Sequence, residues 1–212
     1  MKTYLTKTPF WLKALYPFEI WKVKNSPKTV YLTFDDGPIP EVTPQVLEVL
    51  KSFDVKATFF CIGDNVKKHP EVFQMIVDDG HQTGNHTFNH LKGWQAETAT
   101  YMENAALCEA ALEEHKPICS WLFRPPYGKI KRAQSKALRS KGYKIVMWDI
   151  LSADYDREIT PEKCYQNSIN KVEDGSIIVF HDSLKASKNM LYALPKTIKT
   201  LQEQGFKFDI IR

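Results

Sequence analysis

The stretch Thr29-Val30-Tyr31-Leu32-Thr33-Phe34-Asp35-Asp36-Gly37-Pro38 decides how the rest of the chain is read. Its first six residues are apolar or β-branched, as in a strand buried within a parallel sheet. The run then meets two adjacent carboxylates and a Gly-Pro turn, which places Asp35 and Asp36 at the end of the strand, among the loops. Two neighbouring carboxylates do not both ionise cheaply unless cations lie near. Extended, they point to opposite sides, so one can hold a metal while the other accepts a proton from metal-bound water. The plainer reading is an Asp-Gly turn that uses aspartate for backbone hydrogen bonds. It loses ground once His86-Thr87-Phe88-Asn89-His90 is set beside the aspartates. Two neutral imidazoles and a carboxylate suit a divalent metal with open positions for water and substrate, zinc first and cobalt or nickel as alternatives. The chain therefore reads as a metal-dependent hydrolase.

Outward from this stretch, short apolar runs alternate with helical patterns. Strands are expected at 29–34, 57–61, 81–85, 120–123, 144–148, 176–180 and 206–211. Thr43-Pro44 is expected to cap and open one helix, Pro70 opens another that Gly80 stops, and Thr160-Pro161 repeats the cap-proline device before 162–171. Further helices are expected at 97–114, 131–141 and 188–204, the last kinked or split by Pro195. Seven strand–helix repeats imply parallel strands with right-handed crossovers, hence an α/β fold: a distorted (β/α) barrel of about seven parallel strands in a single domain. A doubly wound open sheet is the alternative. In such barrels chemistry sits at the carboxyl ends of the strands. Asp35, Asp36, His86, His90, Arg124, Asp154 and His181 all fall there, whereas His81 is expected to be structural and His69 and His115 solvated.

At 212 residues, 43% hydrophobic and 25% charged, the chain fits one globular domain. A net charge of +4 is too small and dispersed to imply nucleic acid. Cys61, Cys108, Cys119 and Cys164 form no CxxC pair, which fits a reducing compartment, with Cys61 a buried thiol. Residues 1–27 form an arm ahead of a domain spanning 28–212. Pro9 and Pro17 interrupt its apolar positions, so it lacks a secretory signal's core, and no transmembrane stretch is seen; a cytoplasmic location is expected. The arm is expected to pack on the barrel, with contact to a membrane surface as the alternative.

Read together, the aspartate and histidine motifs resemble those of the polysaccharide deacetylase family, the NodB-homology carbohydrate esterases. Three further segments agree in order: Arg124-Pro125-Pro126-Tyr127-Gly128, Trp148 to Tyr155, and Val179-Phe180-His181-Asp182. The resemblance runs from about residue 28 to the C-terminus. It implies Asp35 as general base, Asp36, His86 and His90 as metal ligands, and Arg124 holding Asp35. It also implies the Tyr127 amide at the oxyanion and His181 as general acid, oriented by Asp154. Tyr127 and Pro126 are expected at the substrate, and Trp94 is a candidate for stacking on a sugar ring, a packed loop tryptophan being the other reading.

Leu151 and Tyr155 stand where the family's fourth motif usually has aspartate and tryptophan, which alters one wall of the cleft. Asp149 is a candidate stand-in for the missing carboxylate. The implied activity is removal of N-acetyl groups from amino sugars in a peptidoglycan- or chitin-like glycan. Rivals are a deformylase or cyclic-amide amidohydrolase on the same scaffold, acting on a small N-acylated substrate, and a glycan-binding module without catalysis.

Overall fold

Parity along the first strand sets the architecture. The computed structural model describes residues 4–24, 27–115 and 121–212. β1 (Thr29–Asp35) is buried on both faces beyond its first residue. Val30, Leu32 and Phe34 pack outward with helical residues such as Val46, Leu50, Ile198 and Leu201, while Tyr31 packs inward against Phe60, Leu122 and Ile177. Because side chains alternate, Asp35 shares the inward parity of Tyr31 and Thr33.

A short helix α1 (Phe10–Leu15) precedes this strand. After it come α2 (Thr43–Ser52), β2 (Thr58–Cys61), α3 (Gly63–Lys68), α4 (Pro70–Asp78), β3 (Gln82–Asn85) and α5 (Thr98–Glu113). Then follow β4 (Leu122–Phe123), α6 (Arg132–Ser140), β5 (Lys144–Ile145), β6 (Ile150–Leu151), α7 (Pro161–Ile169), β7 (Ile177–His181), α8 (Ser187–Glu203) and β8 (Lys207–Phe208). The strand order is β5-β4-β3-β2-β1-β7-β6 with all neighbours parallel, and β8 pairs with the start of β1. The α/β barrel reading therefore stands as a curled sheet rather than a fully closed ring.

The strand expected at 206–211 is only Lys207–Phe208, helix α3 was not expected, and three further details differ. The strand expected at 144–148 is two short strands, because the backbone between them bonds elsewhere. Arg124 takes the carbonyls of Val146 and Met147, and the N-terminal arm takes Met147 N–H and Asp149 C=O. Thr43 does not cap α2; its hydroxyl accepts from Ile39 N–H and donates to Asp182. Pro195 neither splits nor ends α8, whose inner face (Ala193, Leu194, Ile198, Leu201) stays packed in the main core. Tertiary packing here outweighs the missing backbone donor. Thr160 does cap α7, accepting from Lys163 N–H at 3.1 Å.

The arm fills the gap between the two edges of the sheet. Ile20 N–H donates to Ile145 C=O and Met147 N–H to Ile20 C=O, each at 2.8 Å. On the other edge, Thr8 N–H donates to Asp149 C=O and Leu151 N–H to Thr6 C=O, again at 2.8 Å. Asp149, fully buried, accepts from Lys7, Lys13 and Ser176 at 2.6 Å each. It is the anchor of the arm and does not replace the carboxylate missing at Leu151. Cys61, Cys108 and Cys164 are buried thiols, whereas Cys119 lies outside the described residues. No helix among the described residues is long and apolar enough to cross a membrane.

Candidate active site

Register brings the chemically able residues to one end of the sheet. Asp35 pairs with His181 across β1 and β7, and Asn85 with Phe123 across β3 and β4. His86 and Arg124 are thus the next residues on adjacent strands. Past Asp35 the chain turns sharply: Asp36 has φ 85, which takes its carboxylate out of strand alternation and toward the histidines. Thr87, His90, Tyr127 and Ala153 also have positive φ, so five of the eight such non-glycine residues border this site. Each costs about 1–3 kcal/mol and persists only because the surroundings hold it.

Asp36, His86 and His90 each offer a ligand atom, and the three atoms lie within 4.8 Å of one another. Asp36 Oδ1 is 3.4 Å from His90 Nε2 and 3.7 Å from His86 Nε2, yet this buried oxygen has no hydrogen-bond partner among the described residues. An orphaned carboxylate oxygen between two imidazole nitrogens fits a cation. His86 Nδ1 lies 2.7 Å from the Arg124 carbonyl, so it carries the proton and leaves Nε2 free to ligate. Burial lowers the pKa of His86, and burial and then His86 lower that of His90 to about 4. Both rings are neutral, as metal ligands must be. Burial alone would raise the Asp36 carboxyl, but the imidazoles of His181, His86 and His90 outweigh it and hold it below the usual range.

Two supported dyads flank the triad. Arg124 is wholly buried and donates to Asp35 Oδ1 and Thr33 Oγ1, both at 2.7 Å, and its guanidinium lies over the Phe60 ring. On the other side, Asp154 Oδ1 accepts from His181 Nδ1 at 2.7 Å and Asp154 Oδ2 from the His181 backbone N–H at 2.6 Å. Burial works against charging His181, yet Asp154, with Asp36 and Asp35 behind it, pushes its pKa up to about 10.

Tyr127 is half exposed on a 3₁₀ turn at Pro126–Gly128, its ring 4.6 Å from His90, and Trp94 stands edge-on to it at 5.2 Å. Pro126 is buried within that turn. Tyr155 stands perpendicular to the His181 ring at 5.1 Å and touches Tyr4 of the arm, whose hydroxyl donates to Asp156 at 2.6 Å. Leu151 belongs to the same apolar cluster. Both departures from the family pattern thus meet an arm residue.

Asp182 had no role assigned from sequence. It accepts from Gly37 N–H at 3.0 Å and Thr43 Oγ1 at 2.6 Å, clamping the loop that carries Asp36. Burial, helped by the Asp36 charge, pushes its carboxyl up to about 8. Only its place beside His181 hinted at this. His81 is buried and accepts from Ala57 N–H, as a structural histidine should. His69 lies partly covered between α3 and α4, and His115 packs against Phe73 rather than standing in solvent.

Comparison with known proteins supplies the family and the fold. The family model described as polysaccharide deacetylase matches residues 22–146. The chain belongs to the polysaccharide deacetylase family. It is 34% identical over 204 residues to a peptidoglycan-N-acetylglucosamine deacetylase of Bacillus cereus, covering 92% of this chain and 93% of that one. Among solved structures, a peptidoglycan N-acetylglucosamine deacetylase bound to 4-naphthalen-1-yl-N-oxidanyl-benzamide superposes with a TM-score of 0.88 at 31% identity, covering 96% of this chain and 95% of the other. A Bacillus anthracis protein titled a pseudoenzyme of the same family superposes at 0.83 with 28% identity, over 92% and 68% of the two chains. Membership in the polysaccharide deacetylases therefore fixes the fold and leaves turnover to be argued from the site.

Proposed function

We propose that this chain is a metal-dependent deacetylase that removes the N-acetyl group from N-acetylglucosamine residues of a peptidoglycan-type glycan, releasing acetate. The observation that carries the reading is the Asp36–His86–His90 triad flanked by an arginine-held aspartate and an aspartate-held histidine. The relatives' named activities supply the substrate class. The deformylase and cyclic-amide alternatives gain no support from the relatives. Against a binding module without catalysis stands a site in which every position the chemistry needs is filled.

Asp36, His86 and His90 would hold the ion, with zinc favoured by the two imidazoles and one carboxylate. When bound, it acidifies a water and polarises the acyl oxygen. Asp35 accepts the proton of the attacking water, and Arg124 keeps that carboxylate in place. Negative charge developing on the acyl oxygen meets the backbone N–H of Tyr127, on the turn beside His90. His181 is charged at neutral pH and gives its proton to the departing amine, while Asp154 fixes the ring. Trp94 and Tyr127 offer aromatic faces to the sugar.

Acetate release from N-acetylglucosamine oligomers and from peptidoglycan tests this directly. The protein should release acetate only when metal-loaded, and Asp35→Asn should slow release about 10²–10⁴-fold while still binding metal. Undiminished release after chelation with verified metal loss would overturn the reading.

A further inference from the structure

The face of the arm turned away from the sheet has no role in this chemistry. Four of the eleven large apolar side chains exposed among the described residues, Phe10, Trp11, Leu15 and Phe18, fall within residues 10–18, and Phe10 (84% exposed) and Phe18 (67%) are the most open of all. Trp11 and Leu15 stand four residues apart on one side of α1, while Leu12 and Tyr16 pack inward. Helix α1 buries none of its residues fully.

Beside this apolar run lies a cationic one. Arg132, Lys136 and Arg139 recur at i, i+4 and i+7 on α6, and no carboxylate lies within ion-pair distance of any of them among the described residues. Together with Leu15 and Phe18 they line a hollow of about 470 Å³. The Arg139 guanidinium lies 4.4 Å from the centre of the Phe18 ring, and its buried Nε has no hydrogen-bond partner among the described residues. Glu19 is the one carboxylate lining the hollow; it is buried and accepts from Ser135 at 2.7 Å.

We infer that this face is a docking surface for an anionic lipid bilayer, with the apolar side chains entering the interface and the α6 cations meeting headgroup phosphates. Charge complementarity decides the occupant. A second copy would set like charges against one another, and a soluble polyanion would leave Trp11, Leu15 and Phe18 unused. Through Leu5, Leu12 and Tyr16 the arm also lines a groove of about 700 Å³ with Trp94, Tyr127 and Trp148, and Tyr16 borders both hollows. Docking would hold the mouth of the candidate active site beside the membrane. The inference is independent of which acyl group is cut.

Co-sedimentation of the whole protein with phosphatidylcholine vesicles, with and without phosphatidylglycerol, tests it at low and high salt. Binding is expected only with phosphatidylglycerol present. Each cation lost should weaken partitioning about fivefold, so that changing Arg132, Lys136 and Arg139 together to glutamine weakens it about a hundredfold. Leu15→Ser with Phe18→Ser should weaken it at least about tenfold, and Leu107→Ser, on the exposed face of α5, should not. All these positions are at least partly exposed, and a thermal melt of each variant reports its folding. Equal binding to neutral vesicles, or none to either kind, overturns the inference. So does retention of binding by the folded apolar variant, which would mark simple polyanion adsorption. A dimer in light scattering that the apolar pair abolishes would assign the face to a second copy instead.

Discussion

Replacing Asp154 with asparagine keeps the shape of the residue that holds His181 and removes its charge and one acceptor. The carboxylate accepts three N–H groups: the His181 backbone at 2.6 Å on Oδ2, with the imidazole at 2.7 Å and the Tyr155 backbone at 3.0 Å on Oδ1. An asparagine side chain has one carbonyl oxygen, so whichever way it turns an N–H faces an NH₂ group. Burial opposes the charge on His181, yet Asp154 above all raises the ring from 6.5 to about 10. At about 1.4 kcal/mol for each pH unit separating the two values, the charged ring contributes roughly 5 kcal/mol in the metal-free protein. Breaking a buried pair costs a similar 3–5 kcal/mol or so. The folded pKa lies above the unfolded one. The contribution is therefore complete below about pH 6.5 and disappears as the pH rises through about 10. Denaturant unfolding of the metal-free proteins should show Asp154→Asn less stable by about 3 kcal/mol near pH 6, the gap narrowing toward pH 10 to what the lost hydrogen bond leaves. Imidazole NMR should show the His181 titration falling well below 10. An equal gap at both pH values, or an unmoved titration, would refute the pairing as the source of the raised pKa.

Arg124→Met should cost about 3–5 kcal/mol in chemical denaturation, because it strands the buried Asp35 carboxylate and two backbone carbonyls; a loss under about 1 kcal/mol would show that the pair is not a buried one. Gly37→Ala would place a Cβ 2.0 Å from Asp182 Oδ2, so the Asp36 loop must shift and zinc affinity by calorimetry should fall about 10–100-fold. Unchanged affinity would mean that the clamp does not set the ligand. Changing Lys7 and Lys13 together to methionine removes the two ion partners that buried Asp149 has among the described residues, and the arm should become sensitive to limited proteolysis while acetate release from a short soluble oligomer persists. Resistance equal to wild type would assign the hold to the backbone hydrogen bonds alone.

Local patterns carried the reading of β1, β2 and β7 because each is an apolar run ending in a residue with different chemistry. Parity, too, was legible at Asp35 and Asp36, although the turn at φ 85 that finally separates them was not. What escaped was whatever depended on distant backbone. Residues 144–148 look like one strand, but the carbonyls they would offer a ladder go to Arg124 and their edge to the arm. The partnership of Lys7 and Lys13 with Asp149 was not legible either, because nothing near these lysines in sequence reveals that carboxylate. The His86 tautomer rests on a main-chain carbonyl, which leaves no trace in side-chain spacing. Asp182 was hidden by its neighbour, since His181 explains the motif without it.

The way the arm closes the sheet also bears on how the molecule is made. Lys7 meets Asp149 across 142 positions of chain, and Val23 meets Gly175 beyond that. During synthesis this segment emerges well before either sheet edge exists, carrying Phe10, Trp11 and Phe18 in the open. Such long-range pairing is slow to form, and apolar surface left waiting is prone to wrong association. The arm is thus an early product and a late fold: a nascent chain halted before residue 149 would hold every metal ligand yet have no second edge for its own beginning to join.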